Sequence, residues 1–206
     1  GDRGLFVGNA SLRPEQALGG DLGLSLEGAG HGLSGSAELR GFVLGTGDLV
    51  VYRRVESGQI VPENVGSTLA AGLEARVLGR VERNLELTGA LTWQEVVDTA
   101  RGTHLPLRPP VSAYARLAGL GRDLGPFERV VSYVDVEHVA SSFADPANLI
   151  ALPDRTRVGV GVSLRLPEER VEIALAVRDL FDQRGYDLLG LPLPGRSVSL
   201  SLTVRE

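Results

Sequence analysis

The chain has 206 residues, 27 glycines, no cysteine and a formal net charge of −5. Its length suits one domain, the missing cysteine excludes disulfide and Cys-metal frameworks, and the acidic balance argues against a nucleic-acid binder. It contains no apolar run of about eighteen residues of the kind a membrane helix needs, a test that alternating strands escape.

Alternation of apolar and polar residues with period two runs through almost the whole chain, and no segment carries a capped helical stripe. The fold class is all-β and antiparallel. The pattern predicts nine strands: 19–28, 34–53, 66–78, 84–96, 109–120, 127–140, 156–166, 170–180 and 195–205. In the first, Leu22, Leu24 and Leu26 alternate with Asp21, Gly23 and Ser25. The second is long enough to cross a bilayer and project beyond it, with Gly45-Thr46-Gly47 as a candidate bulge or break. In the third, Leu69, Ala71, Leu73, Ala75 and Val77 oppose Glu74 and Arg76; in the fifth, Val111, Ala113, Ala115 and Leu117 oppose Ser112, Tyr114 and Arg116. Val130, Val134 and Val136 oppose Asp135 and Glu137 in the sixth.

The connections alternate without a miss. Short turns at Ala29–Leu33, Gly79–Arg83, Gly121–Pro126 and Pro167–Glu169 interleave with long loops at Arg54–Val65, Val97–Arg108, Ser141–Arg155 and Phe181–Pro194. A transmembrane barrel has this form, with short turns on one rim and long loops on the other. Its strands need about 9–11 residues to cross at a tilt, against about five or six in an ordinary globular strand. The apolar parity then faces lipid, and Glu74, Arg76, Arg116 and Arg165 face the lumen, where ion pairing within the wall is the expectation. Tyr52, Trp93, Tyr114, Phe127, Tyr133 and Tyr186 are the candidates for interfacial girdles. A soluble β-sandwich binding module is the competing reading, in which the apolar faces pack against each other.

No catalytic constellation emerges. Gly30-x-Gly32-x-x-Gly35 resembles a dinucleotide fingerprint, but a strand follows where a helix is required, so it reads as a hairpin turn. His31, His104 and His138 lack metal-ligand spacing, no Gly-x-Ser-x-Gly elbow occurs, and Glu168-Glu169 sits in a turn. No catalytic residue, cofactor or metal site is expected. Ligand contacts are expected on the long loops, held by a rigid scaffold.

Four segments resemble motifs of one family. Gly8-Asn9-Ala10-Ser11-Leu12-Arg13-Pro14-Glu15 resembles the GNxxLxPE loop of TonB-dependent outer-membrane receptors. Asn64-Val65-Gly66 followed by Gly72-Leu73-Glu74 resembles their N…GxE strand. Val177 to Asp182, with Leu180, Phe181 and Asp182, then Tyr186, is similar to V-x-NLFD-x-x-Y, with Arg178 and Asp179 where the family usually carries Asn. Pro194-Gly195-Arg196 is similar to the PGR approach to the last strand. The resemblance implies structural roles for Asn9, Pro14, Glu15, Asn64, Gly72, Glu74, Leu180, Phe181, Asp182, Tyr186, Pro194, Gly195 and Arg196. It implies that residues 1–206 are the C-terminal portion of a 22-stranded barrel, with the plug domain and earlier strands absent. It also implies residence in the bacterial outer membrane, in contact with its lipid. The function implied is import of a large solute such as an iron chelate, a siderophore or cobalamin, energised by TonB through the plug. An outer-membrane barrel without a plug, porin-like or adhesive, is the alternative.

Overall fold

A computed structural model describes residues 5–55, 57–64, 66–82, 84–167, 171–188 and 190–204. Val65, Arg83, Glu168 and Glu169, all named in the sequence reading, lie outside them, as does the last residue of the predicted strand 195–205. The strands are β1 (Gln16–Gly30), β2 (Leu33–Gly47), β3 (Val50–Arg54), β4 (Ile60–Asn64), β5 (Thr68–Val81), β6 (Leu85–Asp98), β7 (Thr103–His104) and β8 (Val111–Leu124). There follow β9 (Phe127–Val139), β10 (Ser142–Phe143), β11 (Ala151–Leu152), β12 (Arg155–Arg165), β13 (Val171–Arg178), β14 (Tyr186–Leu188), β15 (Leu191–Pro192) and β16 (Ser197–Val204). One antiparallel meander runs β1-β2-β5-β6-β8-β9-β12-β13-β16, with β7 added on β6. These are the nine segments that alternation predicts. Among the described residues β1 and β16 do not pair, so the sheet is open.

Each short turn closes one end of the meander. Between β1 and β2 it is His31-Gly32, both at positive φ (51° and 77°), with Gly30 and Leu33 paired across it. Positive φ at both central residues is the two-residue turn that matches strand twist, so the glycine-rich run is a hairpin. The long connections carry small hairpins of their own, β3–β4, β10–β11 and β14–β15.

The second predicted strand needs correction. It does not run unbroken over 34–53: β2 stops at Gly47, and Val50–Arg54 pairs with β4 as a separate hairpin. The cause is Asp48, whose φ of 55° turns the chain out of the extended region. Its conformation is held by Asn64 Nδ2, which donates to the Asp48 carbonyl at 2.6 Å, and by Arg13, whose guanidinium meets the Asp48 carboxylate at 2.6 Å.

Burial is inverted relative to a water-soluble protein. Leu73, Leu91 and Leu117 are 47%, 45% and 48% exposed, and no large side chain is fully buried among the described residues. Directly paired residues share a face, so the register traces that face strand by strand. Leu26, Ala37, Val77, Gly89, Ala115 and Val136 form one row; Leu22, Gly41, Leu73, Trp93 and Val111 form another. Strand contacts are made edge to edge along the meander, and among the described residues no second layer covers the apolar rows. Apolar rows on this scale are stable against hydrocarbon and not against water. This arrangement excludes the sandwich.

Candidate functional site

The opposite parity builds a polar wall. Its rows include Ser25, Glu38, Arg76, Ala90, Tyr114, Glu137 and Arg157, and beside them Gly23, Arg40, Glu74, Thr92, Ser112, Val139 and Arg155. Glu74, Arg76, Arg116 and Arg165 therefore share one face, as their parity predicts. Two hollows of about 520 and 120 Å³ open on it; Glu38, Arg40, Glu74 and Arg76 line the smaller.

Over β1, β2, β5 and β6 the wall is carboxylate-rich, with Asp21, Glu27, Glu38, Glu74, Glu86 and Asp98 against Arg40, Arg76 and Arg80. Pairing here is direct. Arg40 lies 3.1 Å from Asp21 and 3.9 Å from Glu74, Arg80 meets Glu86, and Asp98 binds Arg101 of the following loop at 2.9 Å. Over the later strands the balance reverses. Arg116, Arg122, Arg129, Arg155, Arg157, Arg165 and Arg178 face Asp135, Glu137 and Glu172. Arg165 pairs with Glu172 at 2.9 Å, and Arg116 stacks 3.7 Å from the centre of the Tyr133 ring.

Large wall side chains lie flat because glycine stands opposite them. Tyr133 is paired with Gly161, where an added Cβ would stand 2.5 Å from the ring; Phe42 covers Gly72 in the same way. This places Tyr133, Tyr114 and Phe127 on the polar wall, so they are not girdle residues. Tyr52 is also removed from that role: it packs edge-on against Phe6 in the rim hairpin, with ring centroids 6.5 Å apart. Trp93 remains on the apolar face.

The long connections all leave from one rim and brace one another. Asn148 Oδ1 accepts from the His104 backbone N–H at 2.7 Å and its Nδ2 donates to the His104 carbonyl at 2.9 Å. Leu107 N–H donates to Phe143 O at 2.8 Å, and the His104 and Phe143 rings stack at 6.0 Å. Asp145 accepts from the backbone N–H groups of Ala147, Leu149 and Ile150 at 3.0, 3.3 and 2.7 Å. Desolvation acts to raise the Asp145 carboxyl, but the donors at Ile150, Leu149 and Ala147 together hold it below the ordinary carboxylate range.

The motif residues fall into two clamps and a piece of wall. In the first clamp, Asn64 Oδ1 accepts from Arg13 N–H at 2.8 Å and its Nδ2 donates to the Arg13 carbonyl at 3.0 Å. Asn9 Nδ2 donates to Pro62 O at 2.9 Å, and Glu15 Oε1 accepts from Val50 N–H at 2.6 Å; Pro14 is exposed between them. The segment before β1 is thereby fastened along β3–β4. In the second clamp, Leu180 N–H donates to Val158 O, and Asp182 Oδ1, above Gly195, accepts from Arg196 N–H, both at 2.8 Å. Phe181 and Pro194 are exposed, and Tyr186 pairs with Pro192. Gly72 and Glu74 belong to the wall. The thirteen residues do not converge on one pocket.

The family description "TonB dependent receptor-like, beta-barrel" matches residues 1–180. The chain belongs to that family. This TonB-dependent receptor barrel resides in the outer membrane of a Gram-negative bacterium. Its fold is similar to that of the copper transporter OprC (TM-score 0.72, 18% identity), covering 96% of this chain and 33% of OprC. It is similar to the ferric yersiniabactin uptake receptor FyuA from Yersinia pestis (0.71, 16%), covering 92% of this chain and 29% of FyuA. For BauA, the ferric preacinetobactin receptor from Acinetobacter baumannii, the values are 0.72 and 14%, with 93% of this chain and 30% of BauA covered. The chain thus spans about a third of the length of these receptors. No curated protein sequence matches it.

Sequence reasoning missed Arg155 and Arg157. Arg155 fell in a predicted loop, although it opens β12. The signal was present: both share the parity of Arg165, which was assigned to the lumen.

Proposed function

We propose that this chain is the C-terminal part of the barrel of an energy-coupled importer for a large solute of the metal-chelate class, and that it performs no chemical reaction. The observation that carries the reading is the charged wall behind a lipid-facing apolar sheet, rimmed on one side by mutually braced loops. A polar face of this kind is useful only if it encloses water, a plug or a solute. The loops serve capture, the wall serves as conduit, and a plug supplied by the rest of the receptor answers to TonB. The names of the similar receptors, which take up copper or ferric siderophores, support the metal-chelate class.

The test is uptake of radiolabelled iron in cells carrying or lacking the complete gene, with and without a functional TonB. Uptake that requires both is the expected result. Uptake that survives TonB loss and dissipation of the proton gradient would favour a porin-like barrel instead.

A further inference from the structure

We draw no further inference here: the strongest candidate, the hollow of about 520 Å³ at the short-turn end of the polar wall, lined by Glu27, Ser34, Ser36, Arg80, Glu86 and Thr88 of β1, β2, β5 and β6, belongs to the wall already described, and nothing in the structure shows what covers it.

Discussion

The first four strands of the meander and the last five solve the same problem differently. Both must line a lumen with charge. Over β1, β2, β5 and β6 the charges answer one another: Arg40 bridges Asp21 and Glu74 across three strands, and Arg80 meets Glu86. Over β8 to β16 seven arginines face three carboxylates, and the large groups lie against glycines: Tyr133 on Gly161, Asp135 on Gly159. The first wall ties Arg40 and Arg80 into cross-strand pairs and carries carboxylates in excess. The second carries arginines in excess. Cross-strand pairing accounts for Arg40 and Arg80 in the first and for Arg165 in the second, where the remaining arginines make the wall basic.

The comparison depends first on which face is which, and the largest expected effect tests that. Leu91→Arg places a cation in the middle of an apolar row and is expected to cost about 2–4 kcal/mol near the bilayer midplane. Its neighbour Ala90, on the polar wall, is expected to accept arginine at a small fraction of that cost. Urea unfolding in lipid vesicles measures both. Equal penalties would mean that the two faces do not see different solvents.

Next comes the glycine-backed stack of the basic wall. Gly161→Val pushes a branched side chain into the space of the Tyr133 ring and, through it, shifts Arg116. Overpacking of this kind costs about 1–3 kcal/mol. Adding Tyr133→Ala should recover most of the loss, since the clash is with the ring. Thermal unfolding of the single and double variants reads this out; no recovery would place the strain in the backbone instead.

Why the sheet was legible and the rim was not is clear at particular residues. Alternation reports a half-exposed strand whichever solvent wets the apolar side, so Leu69, Leu73 and Val77 marked β5 without ambiguity. Turn chemistry placed His31-Gly32 correctly, because the hairpin demands positive φ at both sites. The loops obey no period. β3 falls inside the predicted second strand because Leu49 and Val51 keep its parity, and β4 falls in the predicted loop; a single left-handed residue, Asp48, separates β3 from β2. The girdle assignment failed for Tyr114, Tyr133 and Phe127 because it went by residue type alone; register puts all three inside. The resemblance marked residues whose contacts are now visible as two clamps, but it was silent on Arg155 and Arg157.

The rims extend the comparison. On the first half, Asn64 makes three side-chain hydrogen bonds, to the N–H and carbonyl of Arg13 and to the carbonyl of Asp48. Each contributes about 0.5–1.5 kcal/mol net, and the site is solvent-facing, so Asn64→Ala is expected to free the segment before β1 without unfolding the sheet. Limited proteolysis should then cut between residues 9 and 15, where the parent resists. Equal resistance would show that the segment is held instead by the bridge between Phe6 and Ile60 of β4.

The smallest expected effect is on the rim of the second half, and its sign is fixed by one carboxylate. Asp145 is held below its ordinary value because the backbone donors of Ile150, Leu149 and Ala147 favour the ionised form. A carboxyl depressed in the folded state contributes order that is complete above its unfolded value, about 3.9, and is lost as pH falls through the lower folded value. The loop carrying Asn148 should therefore keep its grip on His104 at neutral pH and loosen only in strong acid. Amide hydrogen exchange at Leu149 and Ile150 checks this: protection should be flat from neutrality down to about pH 5 and fall below that. Asp145→Asn should remove the acid transition and lower protection at every pH. An acid transition that persists unchanged in Asp145→Asn would overturn this account, and the loop's order would then rest on the Asn148–His104 hydrogen bonds and the His104–Phe143 stack alone.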